Sequence, residues 1–242
     1  EGARRALEIA ASGGHNLLLW GPPGTGKTLL ASRLPGILPP PGPEEMLLGL
    51  ALRDIYGHAE QGEFVFQRPF RSPHHSATAA ALVGGGSKPR PGEISLAHGG
   101  VLFLDELPEF SRHCLEVLRE PMESGEITLA RASHRITYPA RFQLVAAMNP
   151  CPCGFLGDTE RPCRCTPDQI QRYRARVSGP LLDRIDLHVQ VGRIPPGELL
   201  TPRYTGESSA VVQERVCRCR VRQDQRQRVA NAQLSPDRLA SV

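Results

Sequence analysis

The chain has 242 residues, enough to bury a sizeable core as one large α/β domain or as one domain plus part of another. Its net charge of +4 is too mild to mark a nucleic-acid binder by itself. No apolar stretch approaches the roughly 20 residues of a bilayer-spanning helix, which predicts a soluble, cytoplasmic protein. The basic side chains are nearly all arginine, with Lys27 and Lys88 the only lysines, a bias read first as gene base composition and second as phosphate binding. Seven cysteines in such a chain argue for metal or free thiols over disulfides. The chain begins Glu1-Gly2-Ala3 and ends in a linker-like run over 235–242, so it reads as a fragment of something longer.

Residues 4–11 have the spacing of an amphipathic helix and lead into an apolar strand over 16–20. Gly21-Pro22-Pro23-Gly24-Thr25-Gly26-Lys27-Thr28 follows at once, a full match to GxxxxGKT, and Leu29, Leu30 and Leu34 continue it as an apolar helix to about residue 34. Pro35 and the proline run over 39–43 break that helix. Residues 44–98 are rich in turn signals and predict an irregular insertion decorating the core, with one helix around 77–82. An apolar strand over 100–104 then ends in Asp105-Glu106, as a strand of a parallel sheet does on its way to a site. A helix over 111–123, a β-hairpin over 126–138 and an apolar strand over 143–148 follow, the last running straight into Asn149. Beyond a cysteine-rich loop at 150–166, an arginine-rich helix near 167–177 leads to Leu181-Leu182-Asp183-Arg184 and a last strand over 187–191. The alternation predicts an α/β P-loop sandwich, residues 1–191, around a central parallel sheet, with nucleotide at the C-terminal ends of the strands. Residues 192–242 are expected to be a linker and the start of a helical lid.

The octet dictates phosphate chemistry. Backbone N–H groups that only glycines let approach so closely hold a polyphosphate, and the helix N-terminus behind them favours anions. Lys27 then reaches the β and γ phosphates, and Thr28 offers its hydroxyl to Mg²⁺. Asp105-Glu106 supplies the other half: the first carboxylate holds Mg²⁺ through its water shell, the second orients and deprotonates the attacking water. ATP and Mg²⁺ are therefore the expected cofactors. Asn149 is placed to bond the γ-phosphate or position the water, the alternative being an Asx-turn before Pro150. Arg184, at a loop-to-strand junction, is a candidate finger for a neighbouring subunit's nucleotide, the alternative being a salt bridge with Asp183 or Asp186. The candidate catalytic set is thus Lys27, Glu106, Asn149 and Arg184.

Cys151-x-Cys153 and Cys163-x-Cys165 put four thiols into one short, Gly- and Pro-rich loop. Four thiolates suit tetrahedral Zn²⁺, although the usual knuckle is CxxC; free thiols or adventitious disulfides are the alternative. His74 and His75 follow Pro73 and read first as residues that cap or pack a turn, metal ligation being the alternative. Cys114 reads as helix core, while Cys217 and Cys219 sit two apart in a predicted helix and share no face.

Together these motifs resemble the AAA+ superfamily, and more narrowly its Mg-chelatase-related ATPases of the ComM/YifB type. The resemblance runs through RPFRSPHHSATAAALVGGG (68–86), PRPGEISLAHGGVLFLDELPEF (89–110), LVAAMNPCPCG (144–154) and GPLLDRIDLHV (179–189), nearly the whole chain. It implies a hexameric ring, Arg184 acting in trans, a sensor role for Asn149, and DNA branch migration during recombination of incoming DNA. It also implies a preceding domain of ribosomal-protein or Lon-protease type and a helical lid carrying a further arginine. In AAA+ helicases a comparable hairpin lies in the pore of the ring, which makes Arg131, His134 and Arg135 candidates for gripping the DNA backbone; a solvated hairpin end is the alternative. A chelatase-type ATPase that remodels a protein partner for metal insertion is the competing function. A transcription activator of the σ54 type is disfavoured, because no GAFTGA-like loop precedes Glu93.

Overall fold

The computed structural model describes residues 2–57, 67–86, 89–131, 134–193, 206–235 and 238. Five strands form one fully parallel sheet in the order β2-β5-β8-β1-β9: β1 Leu17–Trp20, β2 Phe70–Arg71, β5 Val101–Leu104, β8 Gln143–Met148 and β9 Leu187–Gln190. The strands read as unbroken apolar runs because both faces are covered. Leu17, Leu19, Val101, Phe103, Val145 and Ala147 point into one core, closed by α1 Gly2–Gly13, by Ala31 of α2 Lys27–Arg33, and by Leu34 and Ile37 of the 3₁₀ turn Leu34–Ile37. The intervening residues, Leu18, Leu102, Leu104, Leu144 and Ala146, point into a second core with Leu107, Phe110, Leu115, Leu118, Leu181 and Ile185.

The segment expected to be irregular, 44–98, is ordered over much of its described length. Pro43–Tyr56 is a 14-residue helix, α3, started by a proline in its first turn and by Glu45, which accepts from the Gly42 N–H at 3.1 Å, and stopped by left-handed Gly57. The proline run hides it because the same Gly-Pro-Glu-Glu that reads as a break also starts a helix. Further on, β2 extends the central sheet beside β5, and Phe70 stacks on Phe103 with ring centroids 5.7 Å apart. Its Arg71 makes a bidentate pair with Glu93, both bonds 2.7 Å. Two short helices, α4 Ala79–Val83 and α5 Glu93–Leu96, flank a small ladder of β3 Gly84–Gly85 with β4 Arg90–Pro91, and Thr78 caps α4.

The helix expected over 111–123 is two, α6 Arg112–Glu116 and α7 Arg119–Ser124. Pro121 has no N–H to offer the Val117 carbonyl, so one continuous ladder cannot form there. β6 Glu126–Arg131 and β7 His134–Pro139 pair antiparallel as the expected hairpin, with Thr128 and Thr137 bonded across it at 3.1 Å. The tip residues 132 and 133, and the side chains of Arg131 and His134, lie outside the described residues. After α8 Pro167–Arg174 and α9 Gly179–Leu182, the chain returns as α10 Ser209–Gln227, which packs on α1. Among the described residues no helix is long and apolar enough to cross a membrane.

The docking of α10 is specific. Val216 is fully buried in the core shared with α1 and the 3₁₀ turn Leu34–Ile37, while Gln213, Arg220 and Gln223 donate to the carbonyls of Leu38, Ala11 and Ser12. Arg215 grips Glu8 at 2.8 Å and Glu207 through two bonds of 2.6 Å. Val216→Ala removes two buried methyl groups and leaves a cavity, at a cost of about 2 kcal/mol. The expected result in thermal unfolding is a midpoint lowered by roughly 4–8 °C, with faster amide exchange in α10; an unchanged midpoint counts against the docking.

Candidate nucleotide and metal sites

β1, β8 and β5 are neighbours in the sheet, so their C-terminal ends deliver the loop at 21–26, Asn149 and Asp105-Glu106 to one place. Gly24 and Gly26 adopt φ of 77° and 82°, backbone that side chains with a Cβ rarely take, and Gly26 forms the N-cap of α2. This turns the loop sharply and points the first N–H groups of α2 outward. The Lys27 side chain is buried, and its ammonium donates to the Gly21 and Pro22 carbonyls, both at 2.8 Å, and to Asn149 Oδ1 at 3.3 Å. Burial lowers its pKa, and the Asp105 carboxylate nearby opposes that shift.

Thr28 Oγ1 donates to Asp105 Oδ2 at 2.7 Å. This bond ties the hydroxyl offered to Mg²⁺ to the carboxylate expected to hold the ion through its water shell, so the two groups meet where the ion is expected. Glu106 sits in left-handed backbone, φ 54° and ψ 46°, rare for a residue with a side chain and a form of strain that gathers at functional sites. Its Oε2 lies 3.2 Å from His75 Nδ1, and the His75 ring meets Phe110 edge-on. The sequence pointed to a turn for both histidines. His74 makes that turn, with Nδ1 on the Ser76 hydroxyl at 2.8 Å, whereas His75 holds the glutamate. The adjacency of the histidines to a strand of the central sheet was the one available clue, and β2 is too short to announce itself.

Asn149 is also fixed from behind. Its N–H bonds to the buried Tyr173 hydroxyl, whose pKa is pushed up to about 12 by burial, and Arg174 donates through Nε and Nη2 to the Pro150 carbonyl, both at 3.3 Å. Arg184 lies apart from this cluster. It pairs with Glu123 and donates to the Pro180 carbonyl, in a shallow groove shared with Glu116, Arg119 and Glu120. The carboxylate partners weighed for it in the sequence, Asp183 and Asp186, are not the ones used: Asp186 accepts from the Asn16 N–H at 2.8 Å and lies 3.7 Å from His15. Arg135, in β7, is exposed.

The four loop cysteines converge. Their Sγ atoms all lie within 4.8 Å of one another, with Cys151–Cys153 at 3.4 Å, Cys153–Cys163 at 3.6 Å and Cys151–Cys163 at 3.7 Å. These separations are too long for a disulfide bond and close to the roughly 3.8 Å between thiolates around tetrahedral Zn²⁺. The N–H groups of Arg164 and Phe155 lower the pKa of Cys153 to about 6, which favours its thiolate. Against a lowering backbone hydrogen bond in each case, burial and the neighbouring Cys153 and Cys151 raise the pKa of Cys163 and push that of Cys165 up to about 12. Cys114 is buried in the core and donates to the Ala77 carbonyl; among the other helical thiols Cys219 is exposed.

The sequence pattern of the family described as magnesium chelatase, subunit ChlI, matches residues 1–199. The chain belongs to that family. Within these AAA+ ATPases it is of the ComM/YifB type. It is 57% identical over 234 residues to the uncharacterized protein YifB of Salmonella typhimurium, covering 97% of this chain and 46% of the relative. It is 54% identical over 237 residues to the competence protein ComM of Haemophilus influenzae, covering 96% and 45%. The chloroplastic magnesium-chelatase subunit ChlI of Oryza sativa subsp. indica is 29% identical over 119 residues, 49% of this chain and 23% of the relative. The chain therefore spans about half the length of the YifB and ComM relatives.

Left-handed backbone reverses the usual ranking of small residues at position 106. Glu106→Gly is expected to be more stable than Glu106→Ala by about 1 kcal/mol, the opposite of the order inside a helix. Denaturant midpoints of the two variants check this, and a more stable alanine variant would contradict the strained backbone.

Proposed function

We propose that the chain is the ATPase core of a ring-forming motor that moves along DNA and drives branch migration in recombination of incoming DNA. The observation that carries this reading is the 54% identity, over 96% of the chain, to a protein named for competence, the uptake of DNA. The paired basic hairpin with exposed Arg135 supports it, since gripping a phosphate backbone needs positive charge without a base code.

In this reading the loop at 21–28 binds ATP, Lys27 sets its charge against the β and γ phosphates, and Thr28 with Asp105 holds Mg²⁺. When bound, the metal ion neutralises charge on the phosphates. Glu106 orients and deprotonates the attacking water, and Asn149 fixes the γ-phosphate side of the site. Arg184 leaves Glu123 to serve the neighbouring subunit's nucleotide in a hexamer. The four cysteines hold one Zn²⁺. Residues 192–242 begin the lid, and its first long helix is α10.

For the arginine, full-length Arg184→Ala should keep its ATP affinity and lose hydrolysis by about 10³-fold. Mixing it with inactive Glu106→Gln subunits should restore turnover, because some interfaces then pair an intact glutamate with an intact arginine. A mixture as inactive as its parts would sink the trans assignment.

For the DNA, branched duplexes should stimulate ATP hydrolysis by the full-length protein, and charge reversal at Arg131 and Arg135 should abolish that stimulation while sparing basal turnover. Hydrolysis indifferent to DNA would instead favour the chelatase-type reading, in which the ring remodels a protein partner; the family match supports that second reading.

A further inference from the structure

The thiol cluster and the nucleotide site are built from one continuous stretch of chain. Asn149 directly follows β8 and bonds Lys27; Pro150 follows, and then Cys151, which is fully buried. Three residues on, Gly154 has φ +83°, and a Cβ there would stand 2.8 Å from Pro23 Cδ and 3.9 Å from Asn149 Cγ. The cysteine loop therefore lies directly on the phosphate-binding loop, with no side chain between them. Its inner turn is closed by the Gly154 N–H on the Cys151 carbonyl at 2.9 Å. Its outer half is shaped by Asp158, which accepts from the N–H groups of Glu160 and Arg161 and pairs with Arg193 at 2.7 Å. That outer turn brings Cys163 and Cys165 back to the first two thiols.

We infer that the cysteine cluster is a metal-dependent clamp on the nucleotide site: Zn²⁺ bound by Cys151, Cys153, Cys163 and Cys165 holds Gly154 against Pro23 and so raises affinity for a nucleoside triphosphate. The inference rests on the zinc reading above. The loop is irregular and has little apolar side-chain material of its own, so metal binding is what closes it, and binding free energy becomes folding free energy. Without the metal little ties the two CxC pairs to each other, and their separation moves the segment that backs Pro23 and Asn149. Coupling between two sites is reciprocal, so bound nucleotide must tighten zinc by the same factor that zinc tightens nucleotide. Coupled sites of this kind shift affinity by roughly 5–150-fold.

The test uses full-length protein. Metal analysis of anaerobically purified protein should give close to one zinc per chain; a value far below one overturns the zinc reading itself. Zinc affinity is then measured by competition with a chromogenic chelator, with and without saturating non-hydrolysable ATP analogue. The expected result is an affinity about tenfold higher with the analogue. Equal affinities overturn the clamp while leaving the zinc site standing, and because only native protein is used, the outcome does not depend on whether the stripped form folds. Gly154→Ala gives a second readout. It keeps all four thiols but forces a methyl group against Pro23, so it should retain one zinc per chain and bind a fluorescent ATP analogue about tenfold more weakly. Native nucleotide affinity in that variant would also overturn the clamp.

Discussion

An ammonium group taken out of water has to be surrounded by oxygen, and at Lys27 that demand organises the site. Two of its acceptors are carbonyls of its own loop, which only a tight, glycine-shaped turn can aim inward; the third, Asn149, comes from just beyond the end of another strand. The third acceptor is available only because β8 lies between β1 and β5. The same strand order brings Asp105 to Thr28, so a single topological fact places both halves of a phosphate-binding centre. What surrounds the centre follows from keeping it in place: Tyr173 and Arg174 of α8 hold Asn149 and Pro150 from behind, and the cysteine loop backs Pro23 from the side.

Much of this was legible in the residues. The apolar runs at 17–20, 101–104 and 143–148 are strands because they are buried on both faces, and a parallel sheet is the common arrangement that buries both. Lys27, Thr28, Asp105 and Asn149 were singled out one by one, and the structure joins them as two hydrogen-bonded pairs, Lys27 with Asn149 and Thr28 with Asp105. The convergence of four thiols from two CxC pairs was likewise foreseeable, since the intervening residues carry the glycines and prolines of tight turns.

What stayed hidden depends on contacts far apart in sequence. β2 has only two residues, too few for any periodicity to show, yet it sets the edge of the sheet and points His75 toward Glu106. α3 begins inside a proline run whose most obvious meaning is a break. Glu123 and Arg184 are sixty-one positions apart, and nothing local to either announces the pair, whereas Asp183 and Asp186 lie within two positions of the arginine and were therefore tempting. α10 is strongly polar, and its anchoring to α1 rests on one buried valine and a row of side-chain bonds to carbonyls, a pattern without a sequence signature.

The Arg215 contact gives that anchoring a one-sided response to acidity. Its guanidinium stays charged at any pH a protein tolerates, and its pKa is raised further by Glu207 and Glu8. The two carboxylates move the other way: hydrogen bonding to Arg215 lowers the pKa of both Glu8 and Glu207. A depressed carboxylate pKa contributes stability that is complete above its unfolded value and disappears as pH falls through the folded value. The latch between α10 and α1 is thus indifferent to alkali and opens only toward acid, so a lysine at 215 would change its character by adding a second, alkaline limit.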